Sequence, residues 1–380
     1  MKVEQTIWTA DNGWKSDSKT SLKAKANLVI AFGQREILAD NSRYNELKEQ
    51  FPNATILMGS TSGEIVGTQV QDGSIVASAV QFDKTQLQTA RVNIKDYSNS
   101  TEAGKALVNL FPKENLRHIF VLSDGQFVNG TDLIHGINSE LPPNVSVTGG
   151  LAGDGAQFQK TLVGINNAPS EGEIVAVGFY GDALKIGYGS MGGWDAFGPE
   201  RKITKAEANV LFELDNSPAL ELYKTYLGDK AAELPASGLL FPLVVWDEET
   251  KQQSVVRTLL AVDEGNQSMT FAGNLPKGGT AQLMKANFDR LVDGASLAAE
   301  KSFEEVGTFE PELALLVSCV GRKLVLGQRI EDEVEAVQNI VGKKAKLTGF
   351  YSYGELAPNK FGEPCNLHNQ TMTVTLLSEK

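Results

Sequence analysis

A chain of 380 residues with 41% hydrophobic and 22% charged side chains has a globular composition and the length for two domains or two fused halves. Its net charge of -12, with no long run of lysine or arginine to offset it, argues against nucleic acid and anionic lipid as partners. The sequence has no apolar stretch of about 18 residues, no basic start followed by an apolar run, and only two cysteines, so the expected setting is the cytoplasm, with no membrane association and no disulfide framework.

Residues 1–24 form a lead before the first clear element. Asn27-Leu-Val-Ile-Ala-Phe32 then reads as a buried parallel strand, and Tyr44, Leu47 and Phe51 give the next segment one apolar helical face. Thr55 to Met58 reads as a second strand that runs into the turn Gly59-Ser-Thr-Ser-Gly-Glu64, and Ser74 to Phe82 as a trailing strand. The series then repeats. Its second copy has the strand His118-Ile-Phe-Val-Leu122, a helix carrying Leu133, Ile134, Ile137 and Leu141, and the strand Val145 to Thr148. The turn Gly149-Gly-Leu-Ala-Gly-Asp154 and the strand Glu173 to Tyr180 complete it.

Two inserted regions follow. In residues 183–228, Thr204-x-x-Glu207 has the pattern of a helix-starting capping box, Val210 to Leu214 reads as a strand, and Asp215-Asn216 as a turn. A helix then starts at Ser217-Pro218, buries Leu220, Tyr223 and Leu227, and stops at Gly228. Residues 239–273 read as a three-strand meander (Leu239 to Trp246, Ser254 to Val262, Ser268 to Ala272), with Arg257 expected on a solvated strand face. Lys277-Gly-Gly-Thr280 is expected to open a helix reaching about Leu291. The third copy begins with Leu313-Ala-Leu-Leu-Val-Ser318 and a helix carrying Ile330, Val334, Val337 and Val341. It ends with a strand from Ala345 to Thr348, the longer turn Gly349-Phe-Tyr-Ser-Tyr-Gly-Glu355 and a strand from Thr371 to Leu377. The expected fold class is α/β: layered sheets built from repeated β-α-β units with a glycine turn, plus an antiparallel meander.

The three turns, together with Glu213-Leu-Asp215, Pro218-Ala219, Tyr223, Ser318-Cys-Val-Gly-Arg322 and Leu367-His-Asn-Gln-Thr-Met-Thr373, resemble the FIST sensory proteins in order and spacing. The resemblance implies a FIST N-like domain over 25–216 and a FIST C-like domain over 217–380, forming a signal-input module for small ligands such as amino acids. It also implies an alternative that follows some stand-alone members: a haem protein that senses nitric oxide and regulates a histidine kinase in trans. No kinase, cyclase or receiver segment is visible in the sequence, so the expected effector is a separate protein.

Each glycine turn can be read in two ways. It either presents backbone N–H groups and a carboxylate to a ligand, or uses glycine for a tight path while its acid caps a nearby loop. The first reading nominates Ser60, Thr61, Ser62, Glu64, Gly150 and Asp154, with the acids facing a ligand ammonium. In the third copy Phe350, Tyr351, Ser352, Tyr353 and Glu355 would add aromatic walls and hydroxyls. Arg322, beside Cys319, would hold a ligand carboxylate or pair with an internal acid such as Glu355. Among the three histidines His368 is the first haem candidate and His135 the second, the alternative for His368 being a loop-holding hydrogen bond. Cys365-x-x-His368 is half of a zinc pattern with no second pair to complete it, so no metal is expected. A thiol enzyme would need Cys319, His368 and Asn369 to meet. No other catalytic constellation stands out, so the chain is expected to bind rather than catalyse.

Overall fold

The computed structural model describes residues 1–16, 21–247, 254–304 and 306–380. All three sequence units form the same core: two parallel strands joined through a helix, with a third strand antiparallel to the first. In the first unit these are Leu28–Gly33, Thr55–Ser60 and Ser74–Gln81, with the helix Ser42–Gln50. In the second they are Leu116–Ser123, Ser146–Leu151 and Glu173–Tyr180, with the helix Gly130–Glu140. The third has Leu313–Cys319, Lys346–Ser352 and Met372–Glu379, with helices Val320–Leu326 and Ile330–Val341.

The uniformly apolar first strands follow from burial on both faces. Leu28, Ile30 and Phe32 alternate with Val29 and Ala31, and the two sets enter different cores. The inward set meets Phe120 and Leu122 of the second unit and Leu313, Leu315, Val317 and Phe350 of the third in one shared core. Phe32 stacks on Phe350 there, with ring centroids 4.5 Å apart. The outward sets pack under each unit's own helices.

The strands that follow the glycine turns do not stay in their own sheets. Glu64–Val66, after the first turn, pairs with Lys346–Ser352 of the third unit. Gly354–Pro358, after the third turn, pairs with Ser146–Leu151 of the second, and Val163–Ile165, after the second, pairs with Thr55–Ser60 of the first. This closed three-way exchange locks the units together and brings every turn to the place where the sheets meet.

The inserted residues build an antiparallel sheet of eight strands around a separate core that includes Tyr223, Leu243 and Phe271. The helix expected from Ser217-Pro218 is Ala219–Leu227, with Ser217–Pro218 forming a short strand rather than a side-chain cap, and it ends at Gly228, which takes a positive φ of 57°. Local signals are overridden at two further places. The capping-box pattern at Thr204-x-x-Glu207 lies in the long strand Asp195–Glu207, whose pairing with Thr280–Lys285 and Val210–Leu214 overrides the local signal. Thr280–Lys285 is likewise a strand, and the helix begins later, at Phe288–Lys301, capped by the Asn287 side chain. The lead supplies two strands, Lys2–Thr9 and Gly13–Ser16, to the first sheet, while its residues 17–20 lie outside the described ones. In place of the three meander strands expected there are four, Leu243–Trp246, Val255–Arg257, Leu259–Asp263 and Ser268–Phe271, because the second expected strand breaks at Thr258 and its halves pair at opposite ends of the sheet; residues 248–253 lie outside the description.

Candidate functional site

The three turns touch one another directly. Gly153 N–H donates to Ser60 O at 2.9 Å and Gly155 N–H to Thr61 O at 3.2 Å, joining the first and second turns. Ser62 N–H donates to Tyr351 O at 2.8 Å and Tyr351 N–H to Gly63 O at 2.9 Å, joining the first and third. Tyr353 N–H donates to Leu151 O at 3.1 Å, joining the third and second. Glycine serves two close approaches: Gly149, with φ of 146°, would set a Cβ on the carbonyl oxygen of Val121 beside it in the second sheet, and a Cβ at Gly153 would press on the Ser62 hydroxyl of the first turn.

The carboxylates of the turns are buried and engaged from within. Glu64 accepts hydrogen bonds from Thr61 Oγ1 at 2.5 Å and Ser74 Oγ at 2.8 Å, and burial raises its pKa to about 7. Glu355 accepts from Ser352 Oγ at 2.8 Å and Thr371 Oγ1 at 3.0 Å, and burial raises it to about 8. Asp154 caps a loop, accepting the N–H groups of Phe158, Gln159 and Lys160 at 2.8 to 3.0 Å as well as the Tyr353 hydroxyl. The acids therefore take the capping role that the sequence left open beside ligand binding.

Arg322 is fully buried and donates to Glu333 Oε2 from Nε at 2.9 Å and Nη2 at 2.7 Å, with further bonds to the carbonyls of Leu291, Gly192 and Gln370. Its internal acid is Glu333, which also accepts from the Tyr351 hydroxyl at 2.8 Å. Arg257 is 4% exposed and buried, contrary to expectation: it donates to the backbone carbonyls of Asn274, Val256 and Leu367, tying the inserted sheet to the second sheet. Burial lowers its pKa to about 10.

A cavity of about 740 Å³ lies beside the junction, between it and the inserted sheet. The carboxyl end of the third unit's first strand reaches it at Cys319, and the loop that follows the second unit's first strand borders it through Gly125 to Gly130. Leu151 and Tyr353 enter from the second and third turns, and Thr258, Phe271 and Asn209 from the inserted sheet. None of the described residues lining it is charged. Phe127, Phe158, Leu260 and Leu324 border it while remaining exposed. Polar atoms come from groups such as Asn129, whose Nδ2 donates to Asn274 Oδ1 at 2.9 Å and whose Oδ1 caps the helix Gly130–Glu140.

Of the fifteen residues nominated from sequence, Cys319 and Tyr353 line this cavity. Ser60, Thr61, Ser62, Glu64, Gly150, Asp154, Phe350, Tyr351, Ser352 and Glu355 build the buried junction around it, and Arg322 belongs to the Glu333 ion pair. Burial, with the Glu355 carboxylate beside it, pushes the Cys319 thiol up and keeps it protonated. His368 hydrogen-bonds through Nε2 to Ala357 O at 2.9 Å, the loop-holding alternative, and burial lowers it to about 4. Asn369 donates to His368 O at 2.9 Å. Haem finds no histidine at the cavity: His368 holds a strand, His135 is exposed on its helix, and His118 is buried between the hydroxyls of Ser146 and Thr148. The missed residues, Phe127, Phe158, Thr258 and Leu260, carry no motif. The one available signal was Asp154 as a loop cap, which places the residues just after it at the junction.

Among proteins of known sequence, the uncharacterized protein MJ1623 of Methanocaldococcus jannaschii is 22% identical over 353 residues, covering 82% of this chain and 66% of that protein. The chain thus spans about two thirds of the relative's length. Solved structures aligning with nearly all of the chain include a chorismatase (99% of this chain and 98% of that one, 10% identity, TM-score 0.36). A cyanuric acid hydrolase from A. caulinodans aligns over 100% and 98%, with 11% identity and a TM-score of 0.35. Both likenesses are too distant to bear on function. Among the described residues no helix is long and apolar enough to cross a membrane. The FIST N domain matches residues 27–217 and the FIST C domain residues 219–358, so the chain belongs to the FIST family, whose domains are small-ligand sensory domains in signalling.

Proposed function

We propose that this chain is a cytoplasmic sensory protein that binds its small ligand in the cavity beside the three-turn junction and passes the signal to a separate effector, for which a histidine kinase is the family's precedent. The observation that carries the reading is the cavity itself, about 740 Å³ and bordered by exposed apolar side chains at the carboxyl ends of sheet strands. Its wall argues for an uncharged ligand. An amino acid brings two charges that need partners when desolvated, whereas the acids and the arginine nominated for that task are engaged inside the chain.

Isothermal titration of amino acids and of neutral ring compounds against the purified chain tests this. The exposed rim substitutions Ala156→Trp and Ala236→Trp serve as blocked forms. Binding in the unmodified chain that both indoles abolish is the expected result. Binding that both leave untouched would put the ligand elsewhere.

A further inference from the structure

We propose that the ligand is an uncharged planar aromatic molecule that stacks on Phe158, an aromatic platform which the second and third turns hold at the cavity mouth; this rests on the cavity being the ligand site. Phe158 adopts a φ of 52°, in the left-handed region where a bulky non-glycine residue stays only when its surroundings hold it. Those restraints are specific. Its N–H donates to Asp154 Oδ1 at 2.9 Å and to the Tyr353 hydroxyl at 3.1 Å, while Gln159 and Lys160 N–H groups fix the other carboxylate oxygen at 3.0 and 2.8 Å. The Tyr353 hydroxyl itself donates to Asp154, so the two turns act on the loop together.

The result is a Phe158 ring stacked on Tyr353, with centroids 4.5 Å apart and planes 16° from parallel, that still leaves the residue 39% exposed. Ordinary loop packing would account for one exposed phenylalanine. It does not account for the concentration here: of nine exposed large hydrophobic residues among those described, four (Phe127, Phe158, Leu260 and Leu324) border this cavity. A second ring laid on Phe158 would extend the stack and cover that apolar surface. Because no charged side chain among the described residues lines the wall, a ligand carrying its charge inside would lack a partner there, which selects neutral rings over phosphorylated or zwitterionic ones.

The test uses the full chain and two probes with one carbon skeleton, 2-naphthol and its saturated form decahydro-2-naphthol, both uncharged at neutral pH, titrated by calorimetry. The proposal expects 2-naphthol to bind about ten-fold more tightly than the saturated alcohol. Phe158→Ala should weaken 2-naphthol by roughly 3- to 10-fold and the saturated probe by clearly less, while Phe158→Tyr restores 2-naphthol binding. Equal affinities, no binding of either probe, or indifference of 2-naphthol to Phe158→Ala would overturn it. Ala236→Trp separates the two failures: equal binding that this indole abolishes rejects the aromatic preference alone, and binding that survives it rejects the cavity as well.

Discussion

Around the junction, Glu64 and Glu355 are buried and receive hydroxyl hydrogen bonds, and Asp154 collects three backbone N–H groups. Among the described residues, the wall of the adjoining cavity carries no charged side chain, although 22% of the chain is charged. The two regions share Leu151 and Tyr353, yet one is closed by polar contacts and the other is left open and apolar. The difference is one of construction within one motif: the glycines and acids fasten three sheets to one another, and the space left under the inserted sheet is the one proposed above to take the ligand.

Substitutions can break or sharpen that contrast. The largest effect is expected at Arg322, because Arg322→Ala strands Glu333 without its charge partner in a site with no exposure. Loss of about 3–5 kcal/mol of stability in chemical denaturation is expected. Asp154→Ala should remove about 2 kcal/mol by freeing backbone donors from a carboxylate, and amide exchange at Phe158, Gln159 and Lys160 should speed up selectively.

The next effect concerns pH. The fold keeps Glu64 and Glu355 protonated up to about 7 and 8, against an ordinary value of 4.5, so the folded state binds more protons than the unfolded chain between those limits. The contribution of each is complete below about 4.5 and is lost as pH rises through its folded value, with a slope on the order of 1 kcal/mol per pH unit per group. Glu355→Gln should flatten the upper part of this fall in denaturation curves taken from pH 5 to 8, and an unchanged slope would show that the carboxyl is ionised in the fold. The smallest stability effect belongs to the rim: Leu324→Ser, at a side chain 46% exposed, should stay within about 0.5 kcal/mol of the unmodified chain while weakening ligand binding.

The β-α-β units were legible because their signals are local. Val29 and Ala31 alternate with Leu28, Ile30 and Phe32 within one short run, and the helix stripes of Leu133 and Ile137 or Val334 and Val337 recur at helical spacing. The strand exchange was not, since Glu64–Val66 and Gly354–Pro358 are three and five residues long and their partners are set by distant chain. Likewise Thr204 and Glu207 satisfy a helix-start pattern that long-range strand pairing overrides. For the candidate site, two of the residues nominated from sequence, Tyr353 and Cys319, line the cavity, while the polar ones show chemistry that serves the scaffold. Thr258, Leu260 and Phe271 look like ordinary core positions in sequence, and only the packing of the inserted sheet against the second and third units makes them a cavity wall.

The division between junction and cavity is tested most directly by native mass spectrometry of three chains, unmodified, Glu355→Gln and Ala236→Trp, each incubated with the same small-molecule extract. The account predicts one ligand adduct shared by the unmodified and Glu355→Gln chains and missing from Ala236→Trp. An adduct that persists in Ala236→Trp and disappears with Glu355→Gln would contradict it.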